Sequence, residues 1–481
     1  MPTTVDRARP ALDAAFCKGC GRCLEACAHG CIVDGTAVYP ASGFVPVHLD
    51  LERCTNCGLC IEACPEPYAL RPLPEPGSPA AGLHPPAAVA PVEPSIHAGP
   101  AIDVPDVNLV LPQSEPLAIK GMYASAIGAL LGGCRYFFGY PITPSTEGAE
   151  LMARLLPKLG GSFVQAVSEV AAINMLYGAA AGGVRATTFT SSPGFSLMLE
   201  GLSYMIGAEL PGVIVNVMRG GPGLGNIASE QADIKLACRG LGHGHTHAIV
   251  LAPSTPQEML DLTLEAFSLS FRYRNPVIVL ADGYLAQMTG RVRLPRTMVR
   301  PGTPGWAVTG DAAHRRNLVS SIFLSEAELE AHNRVLVAKY AAMSASEPRA
   351  EVFEGEEADV LLVACNTPAR IAKGAVKALR AMGIRAGLFR PMTLWPFPMR
   401  HAAPLVAGAR RLVIVEASPG QLEDELRLAA SHAGVTLPPV DRINRFGGVL
   451  PSHDEVVDRV MEVAADLGDS ISPGHPLGVA S

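Results

Sequence analysis

Eight of the chain's 12 cysteines fall into two copies of one spacing. Cys17, Cys20, Cys23 and Cys27 form C-x2-C-x2-C-x3-C, and Cys54, Cys57, Cys60 and Cys64 repeat it with Pro65 behind. Thiolate sulfur is a soft ligand that binds iron tightly, and two-residue gaps let one tight loop present three sulfurs to one [4Fe-4S] cube. In this pattern the fourth ligand comes from the other run. Cys17, Cys20, Cys23 and Cys64 are therefore assigned to one cluster, and Cys54, Cys57, Cys60 and Cys27 to a second. Structural zinc also uses C-x2-C pairs but closes each site with two pairs separated by a longer insert. Three cysteines at two-residue gaps, twice over, argue against it. Disulfides fit less well still, because thiols this dense, where no secretion signal is expected, imply a reducing compartment. The first run ends Cys27-Ala28, without the proline that Pro65 supplies, which weakens the match at one turn and removes no ligand. Cys31, Cys134, Cys238 and Cys365 read as small buried hydrophobes.

Three further segments stand out, two of them for polar groups in suggestive places. Tyr140-Pro141-Ile142-Thr143-Pro144-Ser145 puts hydroxyls and two prolines after an expected strand, where a rigid loop can orient a ligand. Glu169 opens a helix whose next residues, Val170-Ala171-Ala172-Ile173, are apolar. A carboxylate there is either a partner for the helix dipole or a poised acid/base. Gly220-Gly221-Pro222-Gly223-Leu224-Gly225 invites a dinucleotide reading, but that fingerprint belongs after the first strand of its unit, and this loop follows the fourth or fifth. A loop that lets backbones approach closely is the plainer alternative. Walker A, H-E-x-x-H and G-x-S-x-G motifs are absent.

The elements that position these residues follow from periodicity and punctuation. At 481 residues with 48% hydrophobic content, the chain has material for about three domains. Charged residues make up 17%, the net charge is −7 and there is no basic run, so neither nucleic acid nor an anionic membrane surface is an expected partner. No stretch of 18 apolar residues and no apolar h-region appears, which makes a cytoplasmic location the expectation. The mean hydropathy of +0.25 suggests surface buried against other subunits. Residues 1–70 form the iron-sulfur module, and 71–116 a linker, with nine prolines between Arg71 and Pro100. From 117 to 300 helix and strand alternate: helices over 121–131, 145–159, 169–181, 195–206 and 255–271, with strands at 135–139, 162–167, 185–190, 212–218, 248–251 and 276–280. Residues 301–355 are a connector holding one helix, and 356–467 a second α/β unit in which Thr367 caps a helix to Ala381. Residues 468–481 form a flexible tail. Such alternation implies an α/β fold, a parallel sheet covered on both faces, with ligands at the carboxyl ends of strands.

The segments 140–147, 168–174, 191–196, 219–226 and 275–283, with Thr393-Leu394-Trp395-Pro396-Phe397-Pro398, closely resemble the alpha subunit of 2-oxoacid:ferredoxin oxidoreductases. The resemblance runs from about 118 to 465 and is nearest to the 2-oxoisovalerate type, with 2-oxoglutarate relatives sharing the wording. The cysteine module resembles the separate delta subunit, a ferredoxin-like 2[4Fe-4S] domain, here fused in front. The resemblance implies that the first α/β unit is the pyrimidine-binding domain of a thiamine diphosphate enzyme, doubly wound, and the second a transketolase C-terminal-like domain. It implies that Glu169 hydrogen-bonds N1′ of the aminopyrimidine and promotes ylid formation, and that Thr143 faces the substrate carboxylate. Tyr140, Arg219 and Asn226 are further candidates for the cofactor cleft. Gly121-Met122-Tyr123-Ala124 departs from the usual Gly-Asn-Glu-Ala, so polar contacts made there are not carried over.

Thiamine enzymes hold the diphosphate through Mg²⁺ with a Gly-Asp-Gly motif followed by Asn-Asn. Ala281-Asp282-Gly283 is the one near match and no Asn-Asn follows. The chain is thus expected to supply half a cofactor site, a beta subunit the other half, with a gamma subunit besides. The implied reaction is coenzyme A-dependent oxidative decarboxylation of a 2-oxoacid to acyl-CoA and CO2, with the clusters passing electrons to soluble ferredoxin. The rival expectations are a non-catalytic iron-sulfur adaptor and a subunit of a non-redox thiamine lyase.

Overall fold

The two cysteine runs fold alike, and their glycines show why. Gly21 and Gly58 sit immediately before the short helices Arg22–Ala26 and Leu59–Ala63 with φ of 76° and 77°, a left-handed turn that glycine reaches without a Cβ clash. The turn carries the chain from the second cysteine of each run, Cys20 or Cys57, into a helix that buries the third, Cys23 or Cys60. Each helix ends in extended backbone at the fourth, Cys27 or Cys64. Strand Pro10–Leu12 pairs antiparallel with Leu70–Pro72, and Ile32–Val33 with His48–Leu49. The core of this unit is small, with Ile32, Val47, Ala69 and Leu70 packed among cysteines. A core of this size ordinarily needs a metal staple.

The computed structural model describes residues 9–40, 44–66, 69–73, 105–314 and 316–468, in two units, Met1–Glu93 and Pro94–Ser481. Most of the expected proline-rich linker and nearly all of the expected tail lie outside the described residues.

In the second unit, a seven-stranded sheet runs in the order Thr393–Trp395, Ile249–Leu251, Pro276–Asp282, Gly212–Met218, Ala186–Ser191, Tyr136–Gly139, Ser162–Gln165. All neighbours are parallel except the edge strand Thr393–Trp395. The three central strands are buried throughout, as expected when helices cover both faces. Burying a side chain such as Val213, Ile214 or Val279 contributes about 1.5–3 kcal/mol. A five-stranded sheet follows, ordered Ala350–Phe353, Ala386–Pro391, Val360–Val363, Arg411–Glu416, Val440–Asn444, with only Ala350–Phe353 antiparallel.

Several expectations need correction. Residues expected as linker include the strand Val107–Val110, which pairs with Thr297–Arg300. The expected connector holds not only the helix Glu326–Ser346 but also Ala350–Phe353, an edge of the second sheet. The helix expected over 195–206 is two, Ser192–Leu197 and Leu199–Gly207, and it opens earlier because a proline sits in its first turn. Thr367 does not cap its helix: Asn366–Ala381 starts one residue earlier, and the Thr367 hydroxyl donates to Asp282 at 2.8 Å. Ser145 does stand at the cap position of Thr146–Leu155, but its hydroxyl turns back to the Ile142 carbonyl at 2.8 Å and closes the preceding loop.

Candidate functional site

The iron-sulfur residues come together in the crossed arrangement. Cys17, Cys20, Cys23 and Cys64 line one cavity; Cys27, Cys54, Cys57 and Cys60 line another. Burial, with the thiols of Cys64, Cys17 and Cys20 close by, pushes Cys23 up to about 11. Burial likewise raises Cys60, with Cys27 and Cys57 adding to it. Four cysteines lining one small space suit a cationic iron core that compensates the thiolates. Cys31 also lines the second cavity, and its N–H donates to Cys27 Sγ at 3.3 Å.

The candidate cofactor cleft lies at the carboxyl ends of the large sheet. Glu169 is the first residue of the helix Glu169–Ala181, where Ser168 caps by accepting from Ala171 N at 3.2 Å. Glu169 is 5% exposed, and no hydrogen-bond partner within the chain meets its carboxylate among the described residues. A carboxylate left without a partner in its own chain fits a group that finds its partner in a ligand. Beside it is Gly194. A Cβ there would stand 2.4 Å from Glu169 Oε1 and 2.3 Å from Thr190 Oγ1, so only glycine leaves the carboxylate its place.

Thr143 lies in the loop between Tyr136–Gly139 and the helix Thr146–Leu155, and the Thr143-Pro144 peptide is cis. Its carbonyl accepts from Arg219 Nη1 at 2.8 Å, while Arg219 Nη2 reaches the Leu224 carbonyl at 3.3 Å. Arg219 is 6% exposed and its Nε has no partner, which leaves one buried donor of a cationic fork available to an anionic ligand. Tyr140 is 41% exposed on the same loop.

Asn226, the further candidate, makes two hydrogen bonds within the chain. Its amide nitrogen donates to the Gly447 carbonyl at 3.0 Å and its oxygen accepts from Ala228 N at 2.9 Å, tying the glycine-rich loop to the second sheet's layer. Asp282 is likewise a joint, since Ser229 Oγ, Leu285 N, Thr367 N and Thr367 Oγ1 all donate to its oxygens within 3.0 Å.

A second tier of buried polar residues drew no role from the sequence. Ser192 Oγ donates to Asp233 at 2.6 Å and itself accepts from Arg219 N at 3.1 Å. Asn216 donates to the same Asp233 oxygen at 2.9 Å. Burial raises the Asp233 pKa although Ser192, Asn216 and the Arg219 charge pull it down. Gln231 joins the two sheets, donating to Cys365 and Asn366 and accepting from Ala417 N at 2.7 Å. Only the run of polar residues within a buried stretch could have hinted at these.

Comparison with known proteins agrees with this division. Residues 16–67 match the 4Fe-4S dicluster domain; 127–301 match the thiamine diphosphate-binding domain of pyruvate flavodoxin/ferredoxin oxidoreductases; 358–456 match core domain II of pyruvate:ferredoxin oxidoreductase. The ketoisovalerate oxidoreductase subunit VorB of Methanothermobacter thermautotrophicus is 48% identical over 353 residues, covering 73% of this chain and 99% of its own. The 2-oxoglutarate synthase subunit KorA of Archaeoglobus fulgidus is 40% identical over 313 residues, covering 64% and 90%. Among solved structures, the 2-oxoglutarate:ferredoxin oxidoreductase of Magnetococcus marinus, with 2-oxoglutarate, coenzyme A and succinyl-CoA bound, superposes with a TM-score of 0.67 at 29% identity, over 73% of this chain and 66% of that one. With a dicluster domain in front of a thiamine-binding α/β unit and a relative matched almost end to end, the chain belongs to the 2-oxoacid:ferredoxin oxidoreductase family as an alpha-type subunit.

Proposed function

We propose that this subunit serves CoA-dependent oxidative decarboxylation of a branched-chain 2-oxoacid such as 2-oxoisovalerate, with 2-oxoglutarate the competing substrate. The higher identity to the ketoisovalerate relative, 48% against 40%, favours the branched-chain acid. The observation that carries the catalytic reading is the buried, internally unpartnered carboxylate of Glu169 held against Gly194.

The chain's own residues divide the labour. Glu169 holds the proton exchanged with the aminopyrimidine nitrogen, the kind of assistance worth about 10²–10⁴ in rate. When bound, thiamine diphosphate supplies the nucleophilic carbon and the electron sink for loss of CO2. Thr143 and Arg219, through its one uncommitted donor Nε, face the 2-oxoacid carboxylate, Arg219 also bracing the loop that carries Thr143. Cys17, Cys20, Cys23 and Cys64 would hold one [4Fe-4S] cluster and Cys54, Cys57, Cys60 and Cys27 the other, and such clusters would supply one-electron carriers toward a soluble ferredoxin. A beta subunit brings the Mg²⁺ and diphosphate side of the cleft, since Asp282 is fully engaged within this chain, and a gamma subunit completes the assembly. No helix among the described residues is long and apolar enough to cross a membrane, in keeping with a cytoplasmic complex.

The test is anaerobic. The native complex containing this chain is purified and viologen-dye reduction is followed with CoA across a panel of 2-oxoacids. CoA-dependent reduction, greatest with a branched-chain acid and lost without thiamine diphosphate, is the expected outcome. No reduction by any acid, in a preparation with intact clusters and its partner subunits, would leave a non-catalytic electron adaptor instead.

A further inference from the structure

The seam between the two sheets carries a cavity of about 360 Å³, lined by none of the cleft residues described above. One wall is the helix Asn366–Ala381, whose Arg370, Lys373 and Lys377 recur at three and four positions and so share a face. The other is the start of the 18-residue helix Pro256–Tyr273, with Ser254, Thr255 and Glu258. Arg390 rises from the strand Ala386–Pro391 between them.

The carboxylates here are already matched. The Arg390 side chain, 3% exposed, donates to Glu258 at 2.7 and 3.0 Å and to Glu351 at 2.7 Å. Lys373 pairs with the other Glu351 oxygen. Arg370 and Lys377 are left over. Among the described residues Arg370 donates only to the Ser254 carbonyl, at 3.4 Å. Lys377 lies 5.9 Å from the Phe353 ring centroid and has no carboxylate partner among the described residues. Four cations against two carboxylates leave a net positive cavity in a chain of net charge −7. A guanidinium matches phosphate oxygens two at a time, and an ammonium adds a movable point charge.

We propose that this seam binds a phosphate-bearing anion, with Arg370 and Lys377 neutralising it and Lys373 shared between the anion and Glu351. The volume lies in the small-molecule range rather than that of a bare ion. Because its walls come from both α/β layers, the ligand would brace one against the other. Free phosphate or pyrophosphate and the phosphates of coenzyme A share this chemistry, and the experiment separates them.

The cofactor-loaded complex is titrated calorimetrically with pyrophosphate, inorganic phosphate and CoA, in low and high salt, and the KM for CoA is measured alongside. Saturable, salt-weakened binding is expected, at least tenfold weaker in Arg370→Ala/Lys377→Ala and largely retained in Arg370→Lys. A KM for CoA that rises in parallel in the double variant identifies the coenzyme as the source. Weakened phosphate or pyrophosphate binding with KM unchanged identifies a free anion. Equal affinity in wild type and double variant, or no saturable binding of any of the three, overturns the proposal. These outcomes do not depend on the role given to Glu169.

Discussion

Glu169 and Gly194 form a pair in which each explains the other: the carboxylate lacks a partner in the chain, and the glycine lacks the carbon that would displace it. Glu169→Gln keeps the shape and removes the acid, so turnover should fall on the order of 10²–10⁴ with complex assembly intact, read by steady-state dye reduction and gel filtration. Near-wild-type turnover would remove Glu169 from the mechanism. A different buried acid reports on pH. Burial raises Glu416 from the ordinary 4.5 to about 7, although Ser418 and the backbone N–H groups of Leu422 and Glu423 pull it down. The folded chain therefore keeps this proton up to about pH 7, whereas the unfolded chain releases it near 4.5. The stabilisation is whole below 4.5 and is lost as the pH rises to about 7. Thermal melts of wild type and Glu416→Gln across that window should differ in slope, the variant losing less as the pH rises; parallel slopes would mean that Glu416 is ionised in the fold throughout.

At the scale of elements, short polar links decide how the parts meet. Asp282 ends the strand Pro276–Asp282, caps the helix Gly283–Gln287 through Leu285 N, and takes both donors of Thr367 in the other layer. Asp282→Ala strands several buried donors at once, so a loss on the order of 3 kcal/mol is expected from denaturant melts of the complex. A loss within the scatter of a surface substitution would show that water replaces the carboxylate. In the small unit, each helix presents one run's cysteines to a cavity that the other run completes. Cys57→Ser should therefore disturb only the second cluster: ferredoxin reduction should collapse, one cluster's low-temperature EPR signal should vanish, and thiamine diphosphate should still bind. Unchanged ferredoxin reduction would refute the electron path.

Across the whole molecule, local signals and long-range placement separate cleanly. The cysteine spacing, the glycine turns before each short helix and the helix start at Glu169 all act within a few residues, so the sequence alone determined the cluster ligand sets as an expectation, the alternating α/β grammar and the acid at the head of its helix. Gly212–Met218 was legible for the same reason, since a continuous apolar run states its own burial. The exceptions lie where chain distance is large. Ser192 and Asp233 are 41 positions apart, Gln231 and Cys365 are 134 apart, and neither pairing leaves a periodic trace. Asn226, a cleft candidate by sequence, also straps its loop to Gly447, 221 positions away. The strand Thr393–Trp395 follows a strand of the second sheet in sequence, yet pairs with Ile249–Leu251 at the edge of the first. Hydrogen bonds of buried polar groups must be satisfied somewhere, but which partner satisfies them depends on how two sheets dock, and that is a property of the packed layers rather than of any local stretch. Tertiary structure alone decided that Arg219 braces Thr143, that Glu169 faces Gly194 without a partner, and that a cationic cavity opens where the layers join.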